Sequence, residues 1–224
     1  MIKIKPNHFA GMQGSHKVTR SDGIRYTVRD NRHRIFYPDE WMAFYDTLST
    51  RQKVTFHFLI NTGARINEVR NIQVQDVDFD RNSVIIRWTK ARNYDGTRRM
   101  RVLSVSTEFI KWIKAVIRHF KLKPEDNFPI LTTPPANICL KKALRKIGIK
   151  DHMMFSVHNV RKTLETWLIA LDVDSLKVAK HFGHSITVAS TFYVSPDTFN
   201  FDDKKAIRGI IGNLYSRQRF ESYQ

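Results

Sequence analysis

Residue patterning predicts a mainly α-helical α+β domain with one small antiparallel three-stranded β-sheet near its middle. Three observations point there. Apolar residues recur at helical spacing on both sides of the middle, as in Phe109, Trp112, Ile113, Val116, Ile117 and Phe120. Between the helical stretches, Ser83-Val84-Ile85-Ile86-Arg87-Trp88-Thr89 is β-branched and aromatic, which favours a strand. Turn-forming Asn93, Asp95 and Gly96 then separate that run from a second one, Arg99 to Val105, which alternates basic and apolar residues.

Taken in order, residues 1–34 hold eight Lys and Arg against Asp22 and Asp30 and show little apolar periodicity. They read as a basic arm, of the kind that touches phosphates. Compact structure starts near Ile35. Tyr37-Pro38-Asp39-Glu40 resembles a helix start, with Pro in the first turn and acids that suit the dipole there. Trp41, Phe44, Tyr45 and Leu48 follow at helical spacing. A second helix spans Gln52 to Asn61, with Val54, Phe58 and Leu59 as core candidates, and Gly63 stops it. A short helix runs from Ile66 to Ile72. A short strand at Val77–Phe79 pairs with the hairpin of Ser83–Thr89 and Arg99–Val105. Helices then follow at Phe109–Phe120, from Pro134 to Ile147, and from Val157 to Leu171. Two shorter ones, Val173–Phe182 and Ser185–Tyr193, flank Gly183, and a last one covers Asp203–Arg217.

Composition narrows the function. The 224 residues carry 38 Lys and Arg against 21 Asp and Glu, a net charge of +17. Nucleic acid is the first candidate partner for such a surface and an anionic membrane the second. With 15 Phe and 4 Trp the chain can bury a core, so wholesale disorder is excluded. The single Cys139 excludes an internal disulfide and a cysteine-based zinc site, and it suits a reducing cytosol. No run approaches the roughly 18 apolar residues of a membrane span. The start Met1-Ile2-Lys3-Ile4-Lys5 lacks the apolar core of a secretion signal. A cytoplasmic, DNA-associated protein is expected.

Four pieces carry chemistry. Thr62-Gly63-Ala64-Arg65-Ile66-Asn67-Glu68-Val69 places Arg65 just after a helix-ending glycine, beside the next helix start. There, free N–H groups and the positive dipole end also favour an anion. Lys90 stands in the predicted hairpin. His158-Asn159-Val160-Arg161 puts His158 and Arg161 on one helical stripe, at the edge of the core defined by Val157, Val160 and Leu164. His181-Phe182-Gly183-His184 is followed nine residues later by Tyr193. Each piece alone has an ordinary structural explanation, such as an Arg65–Glu68 ion pair, a turn lysine, a half-buried histidine or a core tyrosine.

In this order, and at intervals of 25 residues from Arg65 to Lys90 and 26 from His158 to His184, the set resembles the tyrosine recombinases, the phage-integrase family. The resemblance covers roughly Ile35 to Ser195. It implies a catalytic domain over 35–199, a basic extension over 1–34 and a C-terminal helical tail over 200–224. It further implies a site-specific recombinase or integrase that cuts and rejoins double-stranded DNA through a 3′-phosphotyrosyl link, without metal, ATP or other cofactor. Arg65 and Arg161 would clamp the phosphate oxygens, Tyr193 would attack, and His158 would take its proton. Lys90 would protonate the leaving 5′-hydroxyl, and His184 would bond the phosphate or orient the tyrosine. Glu68 would support the arginines. DNA contacts are expected from Arg29 and Arg32 in the arm and from Arg92, Arg98 and Arg99 in the hairpin.

The chain departs from the family in two ways. About 34 residues precede the catalytic region, where typical members have a separate helical domain. Histidine and phenylalanine stand at His181 and Phe182, where aliphatic residues are usual. Tyr215 and Tyr223 are runner-up nucleophiles. Ile207, Ile210, Ile211 and Leu214 form an apolar face suited either to docking on a neighbouring subunit in a tetramer on DNA or to packing on its own domain. The alternatives are a type IB topoisomerase-like relaxing enzyme and a catalytically inactive DNA-binding relic.

Overall fold

A computed structural model describes residues 34–87, 94–97, 100–183 and 199–216, together with the backbone of 17–19 and 25–27. In the arm, β1 (Lys17–Thr19) pairs antiparallel with β2 (Arg25–Thr27). Arg34, which the sequence groups with the arm, belongs to the packed body. Arg34 is buried because Glu40 (2.5 Å) and Asp151 (2.8 Å) both take its guanidinium, which lies over the Phe155 ring. Paired carboxylates offset the desolvation of a charge that the sequence alone groups with the arm.

α1 (Pro38–Asp46) starts as expected, with proline in its first turn and the Glu40 carboxylate accepting the Tyr37 N–H at 3.0 Å. α2 (Thr50–Thr62) is the central helix. Its residues from Val54 to Thr62 are buried except for half-buried His57, and Gly63 ends it in the left-handed conformation, φ +57°. α6 (Val157–Ala170) packs along α2. It also holds the entering chain: Phe36 N–H donates to Thr163 Oγ1 at 3.0 Å, and Trp167 Nε1–H donates to the Phe36 carbonyl at 3.1 Å. Phe36, Trp41, Phe44, Phe56 and Trp167 form one edge-and-tilt aromatic cluster; Phe58, Phe109, Trp112 and Phe128 form another.

α3 covers only Ile66–Val69, short of the expected Ile72. The chain leaves the helix there because Gln73 bridges to Asn127 and the Ile72 carbonyl accepts from Phe128. The sheet has the expected order, β3 (Val77–Asp78), β4 (Ser83–Ile86) and β5 (Arg101–Ser104), all antiparallel. β4 ends at Ile86; Arg87 already lies outside the ladder, bonded to Asp76, and Trp88 and Thr89 lie outside the described residues. Ile86 pairs with Arg101, so the hairpin that carries Lys90 springs from that pair.

α4 (Thr107–Phe120) is capped by Ser106 Oγ, which accepts the Phe109 N–H at 3.1 Å. α5 spans Thr133–Lys146 and α7 Ser175–Phe182, the latter starting after Asp174, whose side chain caps it. The expected helix Ser185–Tyr193 lies outside the described residues. The tail helix, α8, spans Phe201–Ile211 rather than Asp203–Arg217: Asn200 caps its start, and Gly212 (φ +62°) turns the chain away. α8 lies on α1 and α6 of its own chain, burying Ile207 and Ile211 and leading into buried Leu214. Ile207, Ile211 and Leu214 of the apolar face are therefore covered within the domain, and Ile210 is half-buried against it.

Candidate active site

The ends of α2 and α7 meet the start of α6 and the base of the β4–β5 hairpin. Two glycines make the approach close enough. A Cβ on Gly63 would stand 2.4 Å from the Phe182 ring, and one on Gly183 (φ +67°) would stand 2.8 Å from Arg101 Nη1. Both need left-handed backbone and empty space together, which only glycine provides.

Helix ends leave carbonyls without intrahelical donors, and their negative partial charge suits a cation. Arg161 fills that role twice. Its Nη1 donates to the Gly63 carbonyl at 2.7 Å and its Nη2 to the Phe182 carbonyl at 2.5 Å. The Phe182 carbonyl also accepts from Arg101 Nη1 at 3.1 Å. Arg101 Nη2 in turn reaches Glu68 Oε2 at 2.8 Å. Glu68 is buried and also takes Arg65 Nη1 at 3.0 Å and the Arg65 backbone N–H at 2.9 Å. Arg65 itself is more than a third exposed at its side chain, so its guanidinium lies at the mouth of the cluster.

Three guanidiniums thus converge with one carboxylate, and the cluster is positive. Burial, then the charges of Arg65 and Arg101, lower the Arg161 pKa to about 10. Arg101 is lowered by burial and by Arg65, and among the described residues its Nε is buried without a hydrogen-bond partner. A buried excess of positive charge with N–H donors to spare is a setting that stabilises an anion. Arg161's two bonds use two of the five N–H donors a guanidinium carries.

The structure brings together Arg65, Glu68 and Arg161 of the predicted set. Arg161 is buried rather than at the edge of the core, because the two helix-end carbonyls draw it inward. His158 is exposed, one turn before Arg161 on α6. Lys90, His184 and Tyr193 lie outside the described residues, as do Arg29, Arg32, Arg92, Arg98 and Arg99. Arg101 is the member that sequence reasoning missed. Its signal was the β5 alternation, in which Arg101 and Leu103 share the inward side while Val102 and Ser104 face out. Tyr215, a runner-up nucleophile, has its hydroxyl bonded to His181 at 2.9 Å, and burial pushes its pKa up. Among the described residues there is no cluster of three or more metal-ligand side chains, and no helix is long and apolar enough to cross a membrane.

A positively charged cluster gathered from α2, α3, α6 and a small sheet is the shape into which the similarities fit. Residues 35–198 match the phage integrase family, and the chain belongs to that family. It is 25% identical over 149 residues to the tyrosine recombinase XerA of Saccharolobus solfataricus, covering 64% of this chain and 45% of that protein. It is 24% identical over 173 residues to XerC of Listeria innocua, covering 71% and 57%. The chain therefore spans about half the length of the curated relatives it matches. Among solved structures, the integrase of the transposon Tn1549 in complex with transposon right end DNA superposes with a TM-score of 0.61 at 18% identity, covering 84% of this chain and 69% of that one. The XerA recombinase superposes with a TM-score of 0.57 at 16% identity, covering 79% and 64%. These likenesses establish the shared fold.

Proposed function

We propose that this chain carries the strand-transfer chemistry of a site-specific DNA recombinase of the integrase type. The observation that carries the reading is the buried arginine cluster around Glu68, inside a family match that spans all six motif positions from Arg65 to Tyr193. A phosphodiester repels nucleophiles, and in-line attack builds charge on its non-bridging oxygens. Fixed guanidiniums stabilise that charge without a metal. In this reading Arg65 and Arg161 hold those oxygens. The Tyr193 oxygen attacks phosphorus, the bond to the 5′-oxygen breaks, and a 3′-phosphotyrosyl link forms. His158 takes the tyrosine proton and Lys90 gives one to the leaving 5′-hydroxyl. A 5′-hydroxyl from the partner strand then attacks the phosphotyrosine and frees Tyr193. The bond energy is kept in the covalent link, so no ATP enters.

The partner is double-stranded DNA, gripped by the basic arm and hairpin through Arg29, Arg32, Arg92, Arg98 and Arg99. Exchange between two duplexes calls for a homotetramer on DNA.

The test uses a pool of nicked duplexes of randomised sequence in EDTA, with protein–DNA adducts recovered after denaturation. Wild-type protein is expected to trap a subset of sequences covalently, and Tyr193→Phe none. Adduct formation by the variant equal to wild type, or no adduct by either, overturns the proposal.

A further inference from the structure

His181 is buried where the integrase pattern has an aliphatic residue. Its Nε2 lies 2.9 Å from the Thr62 carbonyl and its Nδ1 lies 2.9 Å from the Tyr215 hydroxyl. A carbonyl only accepts, so Nε2 carries the proton. Nearby Arg101 and Arg161 and the burial of the ring disfavour a second proton, so Nδ1 accepts and Tyr215 donates. One phenol thus ties the C-terminal tail to α7 and, through His181, to the carbonyl beside Gly63.

The tail is built to hold that phenol in place. Gly212 sits so close to Glu108 that a Cβ would stand 2.3 Å from its carboxylate. Asn213 N–H donates to Glu108 at 3.1 Å, and the Asn213 side chain accepts the Thr107 N–H at 3.0 Å. Arg208 Nη1 holds the Leu214 carbonyl at 2.8 Å. Tyr215 itself adopts the left-handed conformation, φ +57°. A bulky residue keeps that backbone only when its surroundings fix it.

Resting on the recombinase reading above, we propose that Tyr215 is a positioning residue: its hydroxyl holds the His181 ring in the orientation from which Nε2 pins the Thr62 carbonyl, and so holds the adjoining Gly63 carbonyl where Arg161 binds it. The tail then acts on the arginine clamp within its own subunit.

The test compares full-length wild type, Tyr215→Phe, His181→Leu and the double variant. In protein labelled with nitrogen-15, wild-type His181 should show a protonated Nε2 and a bare Nδ1. Tyr215→Phe should shift the Nδ1 resonance, which loses its donor, and the Arg161 guanidinium resonances. With nicked duplexes recovered from the randomised pool, the adduct rate at saturating DNA should fall roughly five- to tenfold in Tyr215→Phe, the effect of one hydrogen bond, while the half-saturating DNA concentration stays put. The double variant should be no slower than His181→Leu alone. Unchanged ring and Arg161 resonances in Tyr215→Phe overturn the proposal. So does an unchanged saturated rate, which would make the bond a stability contact only. Absence of adduct from wild type defeats the recombinase reading and the positioning role with it, and is told apart because it is seen before any substitution.

Discussion

The Glu68 carboxylate accepts from the Arg65 guanidinium, the Arg65 backbone and the Arg101 guanidinium, all between 2.8 and 3.0 Å. It is the negative charge that lets these two arginines stand near Arg161. Glu68→Gln keeps the shape but removes that charge and one acceptor oxygen. It should destabilise the fold by about 3–5 kcal/mol, since breaking a buried ion pair leaves a charge uncompensated. Arg65 is partly solvated and relieves some of the loss, so the lower end is expected. Urea unfolding of the two proteins measures it, and an unchanged midpoint would mean that the carboxylate does not balance the cluster. Gly63 and Gly183 act at the same scale by what they lack: each leaves a gap that another side chain fills, Phe182 in one case and Arg101 in the other.

Helices with a sharp apolar stripe and a marked start were legible from sequence. α1, α2, α4, α5 and α6 lie within a few residues of where periodicity and caps put them, and the sheet has its predicted strands in their predicted order. What periodicity could not convey was contact between distant elements. Arg34 looked like part of the arm because its compensating carboxylates, Glu40 and Asp151, are 6 and 117 residues away. Arg101 looked like one basic residue among several because its partners lie 33 residues before it and 81 after it. The same holds for His181, whose partners come from the end of α2 and from the tail. The tail helix packs on α1 and α6, elements more than thirty residues away in the chain, which its own apolar stripe does not name. Cutting the chain after Asn200 removes the buried Ile207, Ile211 and Leu214. At about 1.5–3 kcal/mol for each buried aliphatic side chain, the loss is on the order of 5 kcal/mol, comparable to the whole stability of many domains. The truncated chain should unfold at a much lower temperature in a calorimetric scan; a melting point equal to that of the intact chain would show that α8 contributes little where it lies.

Considered as one body, the protein keeps a neutral histidine inside a positive site, and this ties folding to pH. Burial, with Arg101 and Arg161 nearby, lowers the His181 pKa from 6.5 to about 4, and burial among aromatic rings lowers His57 to about 4 as well. The unfolded chain therefore binds these protons first as pH falls. The stabilisation is complete above pH 6.5 and is lost on the way down to pH 4, at up to about 1.4 kcal/mol per pH unit for each histidine. Unfolding free energies measured across that window should fall steadily in wild type and less steeply in His181→Leu; parallel curves would mean that His181 takes up its proton as readily in the folded protein as in the unfolded chain. One carbonyl gives the site a further property. Phe182 offers its oxygen to Arg161 and to Arg101 at once, and the next two residues are Gly183 and His184. If α7 slides, both cations lose that shared partner together, leaving Arg161 on the Gly63 carbonyl and Arg101 on Glu68. That oxygen works like one nail through two boards: whatever moves the end of α7 is felt by both guanidiniums at once.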